Sequence, residues 1–292
     1  MLEIETVPST ASLINTIYKK KSLNIQRLGD GEVESWAERE SRFYLLKSED
    51  TNQSALVLFW GCDDRLELVE TKGVSFRGTT PRDAAQACMF HSLQKRRLTV
   101  VLGEAGTGKT TIALAYALDR LFKKGMKIVL CKPTVFVGMR SNAIAAIPGD
   151  HREKMSGYID SYLTSMRRII GDTFEHHLYE LEENGQIVFQ PLELIRGQQF
   201  DNAVVIIDEA QNTSPHELLS AISRLDETST CVILGDPHQI DLKSSFDDTG
   251  LGCLVNSDAV ADSDISAGIT LTSNYRGPMA ILASEVLKEI SN

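Results

Sequence analysis

Residues 100–111 read VVLGEAGTGKTT and place glycines, a lysine and two threonines directly after an apolar run. The stretch from Gly103 to Thr110 matches the pattern G-x-x-x-x-G-K-[ST], which joins a strand to a helix. Glycines let backbone N–H groups turn inward as an anion site, and the helix start adds partial positive charge. Lys109 is placed to reach the β- and γ-phosphates, and the Thr110 hydroxyl to bind Mg²⁺. The segment therefore predicts a site for a nucleoside triphosphate with Mg²⁺.

The predicted phosphate-binding residues form one continuous run. The apolar residues before the run are typical of a strand, and those after Lys109 repeat with helical spacing, so the setting agrees with the pattern. A chance match is the alternative, and it becomes rarer when both flanks are required. The residues assigned to the nucleotide are Gly103, Glu104, Ala105, Gly106, Thr107, Gly108, Lys109, Thr110 and Thr111.

A pair of acids ends the apolar stretch AVVIIDEAQN, residues 203–212. The carboxyl ends of parallel strands form the ligand crevice of an open α/β sheet, so Asp208 is expected to reach Mg²⁺. Glu209 is placed to accept a proton from an attacking water. Binding alone needs no second carboxylate, so the pair favours hydrolysis. The alternative is that both acids only cap the following turn.

Two glutamines extend the candidate site. Gln239 follows Asp236 at the end of the strand-like VILGD and is predicted to orient water or contact the γ-phosphate. The alternative is a turn set by Asp236 and Pro237, with Gln239 facing solvent. Gln86, just before the first core strand, carries an amide suited to the N6 and N7 edge of adenine, although an isolated glutamine would be unremarkable.

The order of apolar runs predicts an α/β fold in two parts. Residues 1–78 contain a predicted helix near TASLINTIYKKK, followed by the strand-like runs RFYLL, ALVLFW and RLELVE. These elements indicate a small α+β module. In residues 79–292 strands and helices alternate, which predicts a mostly parallel sheet with right-handed crossovers. Ser214, Pro215 and Glu217 are typical of a capped helix start.

Composition restricts the class of protein. The chain has 292 residues, 42% of them hydrophobic, and a formal net charge of -10, so its overall field does not attract nucleic acid. Any such contact would need a local basic patch. The five cysteines are scattered, which disfavours a disulfide framework or a zinc site and favours a reducing compartment. With no signal peptide or membrane-spanning run in the sequence, a soluble, cytoplasmic protein is expected.

The motifs together resemble those of the PhoH-like family, which is named for phosphate starvation and related to the superfamily-one helicases. The chain carries PRDAAQ, GEAGTGKT, LCKPTV, IPGDHREKM, LIRGQQFDNAVVIIDEAQN and LGDPHQIDL in the family's order, within residues 80–292. The resemblance implies an ATPase with a single RecA-like P-loop core, thought to act on RNA. It also implies that Gln86 reads adenine, and that Gln239 senses the γ-phosphate.

Some positions depart from the family pattern. Lys132 stands where relatives usually carry arginine, and Gln198 and Gln199 follow IRG where a basic residue is common. Arginine and lysine are not interchangeable at a bidentate phosphate contact, so a grip on nucleic acid is weakened. Some relatives also carry a nuclease domain. Residues 1–78 are too few for one, so nuclease activity is not expected.

The resemblance also raises a question of assembly. A related monomeric helicase has two RecA-like halves, and too few residues follow Asp236 for a second half. We therefore expect a closed homo-oligomer, with a hexamer favoured, in which Arg276 of LTSNYRGP acts as an arginine finger for a neighbouring subunit. The alternative is a surface arginine that closes a turn before Pro278.

Weaker signals concern nucleic acid. The basic clusters at 19–21, 95–97 and 167–168 either line a nucleic-acid path or form a solvated face, and Tyr158 and Tyr162 either stack bases or pack in the core. The favoured function is a nucleic-acid-stimulated ATPase, and helicase activity stays open. The alternatives are a nucleotide-switched regulator that binds partners, and a small-molecule kinase, which would need an arginine-rich lid that the sequence lacks.

Overall fold

The computed structural model describes residues 3–28, 36, 39–133, 151–171, 174–195, 197–242, 244–279, 282 and 286. The first part of the chain forms a five-stranded sheet in the order β1-β3-β4-β5-β2. β1 runs parallel to β3, and the other pairs are antiparallel. The bounds are β1 Glu5–Ser9, α1 Ala11–Lys20, β2 Ser22–Asn24, β3 Phe43–Ser48, β4 Ser54–Trp60 and β5 Arg65–Leu68.

The second part forms a six-stranded sheet in which every pairing is parallel, in the order β11-β6-β10-β9-β7-β8. The strands are β6 Leu98–Gly103, β7 Lys127–Lys132, β8 Ile187–Pro191, β9 Ala203–Ile207, β10 Thr230–Gly235 and β11 Ser266–Leu271. The helices are α2 Ala84–Lys95, α3 Lys109–Lys124, α4 His151–Ile170, α5 Phe174–Glu183, α6 Pro215–Ile222, α7 Gly250–Val255 and α8 Asp258–Ala261.

Both faces of this sheet are covered. Along β9, Val204 and Ile206 pack into one apolar cluster with α3, while Val205 and Ile207 pack into another with α6. Side chains alternate across a strand, so a continuous apolar run is what a strand buried on both sides requires. The parallel sheet and the α/β class of a RecA-like P-loop core are thereby confirmed.

The two sheets meet through helix α2. Glu67 on β5 faces His91, Lys95 and Arg96 of α2 and its cap. Its Oε2 lies 3.7 Å from His91 Nε2 and 2.9 Å from Arg96. His91 and Arg96 oppose the effect of burial and lower the pKa of Glu67 to about 2. The Arg96 guanidinium also lies 3.6 Å from the centroid of the Trp60 ring. A charged cluster thus ties the leading sheet to the helix that precedes the phosphate loop.

Most of the predicted elements are confirmed, including the break near Gly171, which separates α4 from α5, and the Ser214–Glu217 capping box of α6. The sequence did not predict β1, β2 or the helices α2, α7 and α8. The division at residue 78 stays a prediction, because one apolar cluster includes Phe43 of β3 and Phe90 of α2.

All five cysteines are unpaired. In the described part of the chain, no helix is long and apolar enough to cross a membrane.

Candidate nucleotide site

A cavity of about 710 Å³ lies at the carboxyl ends of the parallel strands. This volume is in the usual range for small-molecule sites, and the position is the one that open α/β sheets use for ligands. β6, β9 and β10 end at Gly103, Ile207 and Gly235, so the residues that follow them meet at one edge. The predicted residues that line the cavity are Gln86, Ala105, Gly106, Gly108, Lys109, Thr110, Thr111, Asp208, Glu209, Gln239 and Arg276.

The phosphate loop has the conformation that its glycines allow. Gly106 and Gly108 have φ values of 93° and 94°, in the left-handed region where glycine has no Cβ penalty. A Cβ on Gly106 would collide with Asn274 and Arg276, and one on Gly108 would lie 3.1 Å from Gln86 Nε2. The loop therefore needs glycine both for its turn and for the close approach of its neighbours.

Lys109 begins helix α3 and folds back over the loop. Its ammonium donates hydrogen bonds to the carbonyls of Gly103 and Glu104, the second at 2.9 Å. Burial lowers the pKa of Lys109, while the negative charges of Asp236 and Asp208 oppose that change. Phosphate oxygens would offer this ammonium stronger acceptors than the two carbonyls do.

Thr110 and Asp208, the two residues predicted to hold Mg²⁺, lie side by side. The Thr110 hydroxyl donates to Asp208 Oδ2 at 3.0 Å, although the two residues are 98 positions apart. Asp208 is buried, and this burial raises its pKa, as does the charge of Glu209; Lys132 and the Thr110 hydrogen bond act in the opposite direction. A buried carboxylate of this kind is stabilised when a cation binds it.

Glu209 is held from two sides. Lys132 Nζ lies 3.5 Å from Oε1, and the Gln211 amide donates to Oε2 at 2.7 Å. The backbone of Glu209 is left-handed, with φ 56° and ψ 37°, an uncommon conformation for a non-glycine residue. These contacts fix the carboxylate at the cavity wall, where it can accept a proton. The family departure at Lys132 thus lies inside the site.

Gln211 is a residue that sequence reasoning missed. It is fully buried and joins the two motifs: its Nε2 also donates to the Gln239 carbonyl at 2.9 Å, and its Oε1 accepts from the Asp236 N–H at 3.0 Å. Gln239 itself is exposed at the cavity rim. For Gln239, the available signal was its place three residues after Asp236 in the motif GDPHQ. Gln211 therefore couples the position of Glu209 to that of Gln239.

The donor set suits Mg²⁺. Asp236 is 4% exposed, and its Oδ2 has no hydrogen-bond partner among the described residues, although it lies in the cavity wall. Mg²⁺ is usually held by one or two carboxylates, water and substrate phosphates. Thr110 and Asp208, with Asp236 nearby, fit that requirement. No group of three or more His, Cys, Asp or Glu in the described ranges could hold a metal by itself.

Gln86, which the resemblance assigns to adenine, lies at the cavity wall in the first turn of α2. It is 3% exposed, and its amide is already bonded: Nε2 donates to the Thr107 carbonyl at 2.9 Å, and Oε1 accepts from the Arg82 N–H at 2.9 Å. One N–H and one lone pair of the amide remain for a ligand. Gln86 thus braces the phosphate loop in addition to facing the cavity.

Arg276 lines the cavity of its own chain. Two contacts hold its segment against the loop: Tyr275 N–H donates to the Gly106 carbonyl at 3.0 Å, and Asn274 Nδ2 to the Ala105 carbonyl at 3.2 Å. Arg276 therefore faces the cavity of its own chain, and it needs no neighbouring subunit to reach a phosphate group bound there. This arginine belongs to the wall of the site that its own chain forms.

Two further residues were not predicted. Tyr275 and Arg82 line the cavity near Gln86, and the Arg82 guanidinium lies 5.0 Å from the centroid of the Tyr275 ring. The Tyr275 hydroxyl donates to Asp83 at 2.6 Å. A ring and a guanidinium plane are surfaces on which a base can stack. The NYR triplet, residues 274–276, was the available signal, and only its arginine entered the prediction.

The basic clusters are dispersed. Lys21 pairs with Glu70 at 3.1 Å, Lys95 and Arg96 contact Glu67, and Arg168 lines the cavity. The prediction that one of these clusters lines a nucleic-acid path is not tested by these contacts. Three features of the sequence analysis lie outside the described residues. They are the side chain of Tyr158, the segment 134–150 and Arg196 of IRG.

The chain is similar in sequence to curated proteins from two bacteria and in fold to one solved structure. Bacillus subtilis (strain 168) PhoH-like protein is 34% identical over 59% of this chain and 52% of its own length. Escherichia coli (strain K12) protein PhoH is 29% identical over 76% of this chain and 63% of its own length. The chain thus spans less than two thirds of these relatives. The crystal structure of Pif1 helicase from Candida albicans covers 73% of this chain and 44% of that one, with 15% identity and a TM-score of 0.39.

A family match covers the part of the chain that forms the site. The sequence model of the PhoH-like protein family matches residues 79–274, which extend from the cavity-lining Thr79 to the Asn274 that contacts the loop. This span includes the phosphate loop, the acidic pair and the Gln239 motif, and it covers more than half of the chain. The chain belongs to the PhoH-like family.

Proposed function

We propose that this protein hydrolyses ATP with Mg²⁺ and that single-stranded nucleic acid, with RNA favoured over DNA, stimulates the reaction. The observation that carries the proposal is the meeting of Lys109, Thr110 and Asp208 in one cavity, with Thr110 Oγ1 3.0 Å from Asp208 Oδ2. Family membership supports a nucleotide-binding ATPase of the PhoH type. The nucleic-acid ligand and any strand separation rest on the family resemblance alone.

In this proposal each side chain has one task. Lys109 binds the β- and γ-phosphates, the Thr110 hydroxyl and the Asp208 carboxylate hold the metal, and Glu209 accepts the proton of the attacking water. Mg²⁺, when bound, neutralises charge on the phosphate oxygens. Gln239 orients the water, and Arg276 stabilises charge that develops on the γ-phosphate.

The adenine base would bind in the same cavity, at the end lined by Gln86, Arg82 and Tyr275. We propose that adenine lies against the Tyr275 ring and Arg82 guanidinium and bonds to the remaining N–H and lone pair of Gln86. The sequence contains no N-K-x-D motif of the kind that reads guanine. Adenine is therefore the base that the described side chains fit best.

The assembly and location are further parts of the proposal. A closed ring, with a hexamer favoured, is what the family resemblance implies. Arg276 adds no support for the ring, because it lines the cavity of its own chain. Light scattering with ATP and Mg²⁺ tests the ring, and a fully active monomer would remove it without affecting the ATPase. A cytoplasmic location suits a protein with five unpaired cysteines.

Phosphate release tests the proposed activity directly. The assay compares no addition, single-stranded RNA, single-stranded DNA and a panel of metabolite acceptors. Lys109→Ala is expected to abolish hydrolysis, and Glu209→Gln to bind ATP normally while turnover stops, since only the proton acceptor is lost.

Each result separates the candidates. Stimulation by nucleic acid supports the proposal, phosphate on an acceptor supports a small-molecule kinase, and slow turnover that responds to neither supports a nucleotide-switched regulator. Normal hydrolysis by Glu209→Gln would remove Glu209 as the base. Wild-type protein that neither binds nor hydrolyses ATP would refute the proposed function.

A further inference from the structure

A tyrosine of helix α4 contacts the carboxylate that the proposed function assigns to the metal. Tyr162 is 4% exposed, and its hydroxyl donates to Asp208 Oδ2 at 3.4 Å. This is the oxygen that also accepts from Thr110. The ring of Tyr162 packs against Phe189 of β8, with centroids 6.3 Å apart. The phenol is thus fixed by the core and aimed at the site.

Helix α4 forms one wall of the nucleotide cavity. Ser161, Ser165 and Arg168, at spacings of four and three residues, lie on one helical face and line the cavity with the phosphate loop. Tyr162 stands next to this face and points into the protein. The alternatives for Tyr162 were base stacking and core packing, and its burial excludes stacking on a nucleic acid at the surface.

The Tyr162 hydroxyl can donate to Asp208 independently of Thr110. A phenol O–H is a hydrogen-bond donor, and packing against Phe189 holds the Tyr162 hydroxyl within reach of Asp208 Oδ2. Thr110 has one hydroxyl, and its oxygen is the atom assigned to Mg²⁺ in the proposed function. A second donor then keeps Asp208 Oδ2 hydrogen-bonded and oriented when Thr110 changes partners.

We propose that Tyr162 is a positioning residue for Mg²⁺ binding, because its hydroxyl holds the Asp208 carboxylate in the orientation that the metal requires. The inference rests on the proposed function and extends the site to helix α4. Outer-shell partners of metal ligands typically change metal affinity by about 10- to 100-fold when they are removed. A residue that only fills the core would leave the Mg²⁺ requirement unchanged.

The test is a magnesium titration of the Tyr162→Phe variant, which keeps the ring and removes only the hydroxyl. Binding of a fluorescent, non-hydrolysable ATP analogue is measured in EDTA and at increasing Mg²⁺, and phosphate release is measured in parallel. We expect nucleotide affinity in EDTA to match wild type, and the Mg²⁺ concentration for half-maximal binding and hydrolysis to rise about 10-fold.

Tyr116→Phe is the matched control. Tyr116 is also a buried tyrosine, 3% exposed, but it packs against Phe76 in the core and does not line the cavity. Its Mg²⁺ dependence should equal that of wild type. A second comparison places Tyr162→Phe in an Asp208→Asn background, where the loss of the hydroxyl should have no further effect on Mg²⁺ dependence.

Opposite results would overturn the inference. If wild type binds the analogue more tightly with Mg²⁺ and Tyr162→Phe has the same Mg²⁺ midpoint, the inference fails and the proposed function survives. If Mg²⁺ does not change the affinity of wild type for the analogue, the inference and the proposed function both fail. Should Tyr162→Phe not fold, 3-fluorotyrosine at this position keeps the hydroxyl, and its ¹⁹F resonance must shift when Mg²⁺ joins the bound analogue. An unchanged resonance refutes the inference.

Discussion

Replacing Gln211 with leucine removes three hydrogen bonds at once without opening a large cavity. The lost bonds are the 2.7 Å bond to Glu209 Oε2, the 2.9 Å bond to the Gln239 carbonyl and the 3.0 Å bond from the Asp236 N–H. Gln211 is fully buried, so water cannot readily replace them. The substitution therefore tests whether this amide positions both the proton acceptor and the glutamine at the rim.

The expected cost to folding follows from these bonds. A hydrogen bond to a charged group contributes about 1.5–3 kcal/mol and a neutral one about 1 kcal/mol, and Glu209 is partly exposed, so the total is about 3 kcal/mol. At about 2–4 °C per kcal/mol for a domain of this size, the melting temperature should fall by about 6–12 °C. Such a loss leaves a typical domain folded at 25 °C.

The expected effect on catalysis is larger. A positioned general base contributes about 10²- to 10⁴-fold, so a disordered Glu209 should lower kcat by at least about 10²-fold. KM for ATP should change little, because the phosphate loop keeps its own contacts. Phosphate release at 25 °C and thermal unfolding measure the two effects separately.

Gln190→Leu is the matched control for Gln211→Leu. Gln190 is 8% exposed on β8, its amide makes contacts of 3.4–3.5 Å with Gln198, and it does not line the cavity. Its variant should keep the wild-type kcat. A Gln211→Leu protein that is destabilised as calculated but retains kcat within about three-fold would show that Gln211 is structural and does not position the site.

Two other predictions concern the base-binding end and the contact between the sheets. Tyr275→Ala should raise KM for ATP about 10-fold with little change in kcat, as stacking on one base contributes about 1–3 kcal/mol, whereas Tyr275→Phe should resemble wild type in steady-state assays. Glu67, with its pKa lowered to about 2, stabilises the fold above pH 4.5, and this stabilisation is lost as pH falls towards 2 because the unfolded chain binds the proton more readily. In acid unfolding followed by circular dichroism, wild type should lose about 3 kcal/mol more over that range than Glu67→Gln, and equal pH dependence would contradict the assignment.

The site residues that follow strands were predictable from sequence. An apolar run that ends in Asp208 or in the phosphate loop defines both the strand and the edge at which it ends, because parallel strands share that edge. The same argument located Gln239 at the cavity. Local periodicity also predicted the helix that begins at Lys109 and the capping box at Ser214.

Other features depend on tertiary contacts that carry no local signature. Helix α2 has apolar and polar residues on nearly every side because eight consecutive positions, 86–93, are buried between the two sheets, so its helical period is obscured. β2 has only three residues and exists through its pairing with β5. Gln211 and Tyr162 act through partners distant in sequence, which spacing does not disclose. Arg276 was found, but its own-chain position depends on Asn274 and the loop carbonyls.

The place of β11 has a consequence for synthesis. β11, the last strand in the described part of the chain, lies beside β6, and the segment after it holds the phosphate loop through Asn274 and Tyr275. During translation the loop leaves the ribosome long before those partners are made. The nascent chain should therefore acquire nucleotide affinity only once residue 276 has cleared the exit tunnel, however early the leading sheet folds.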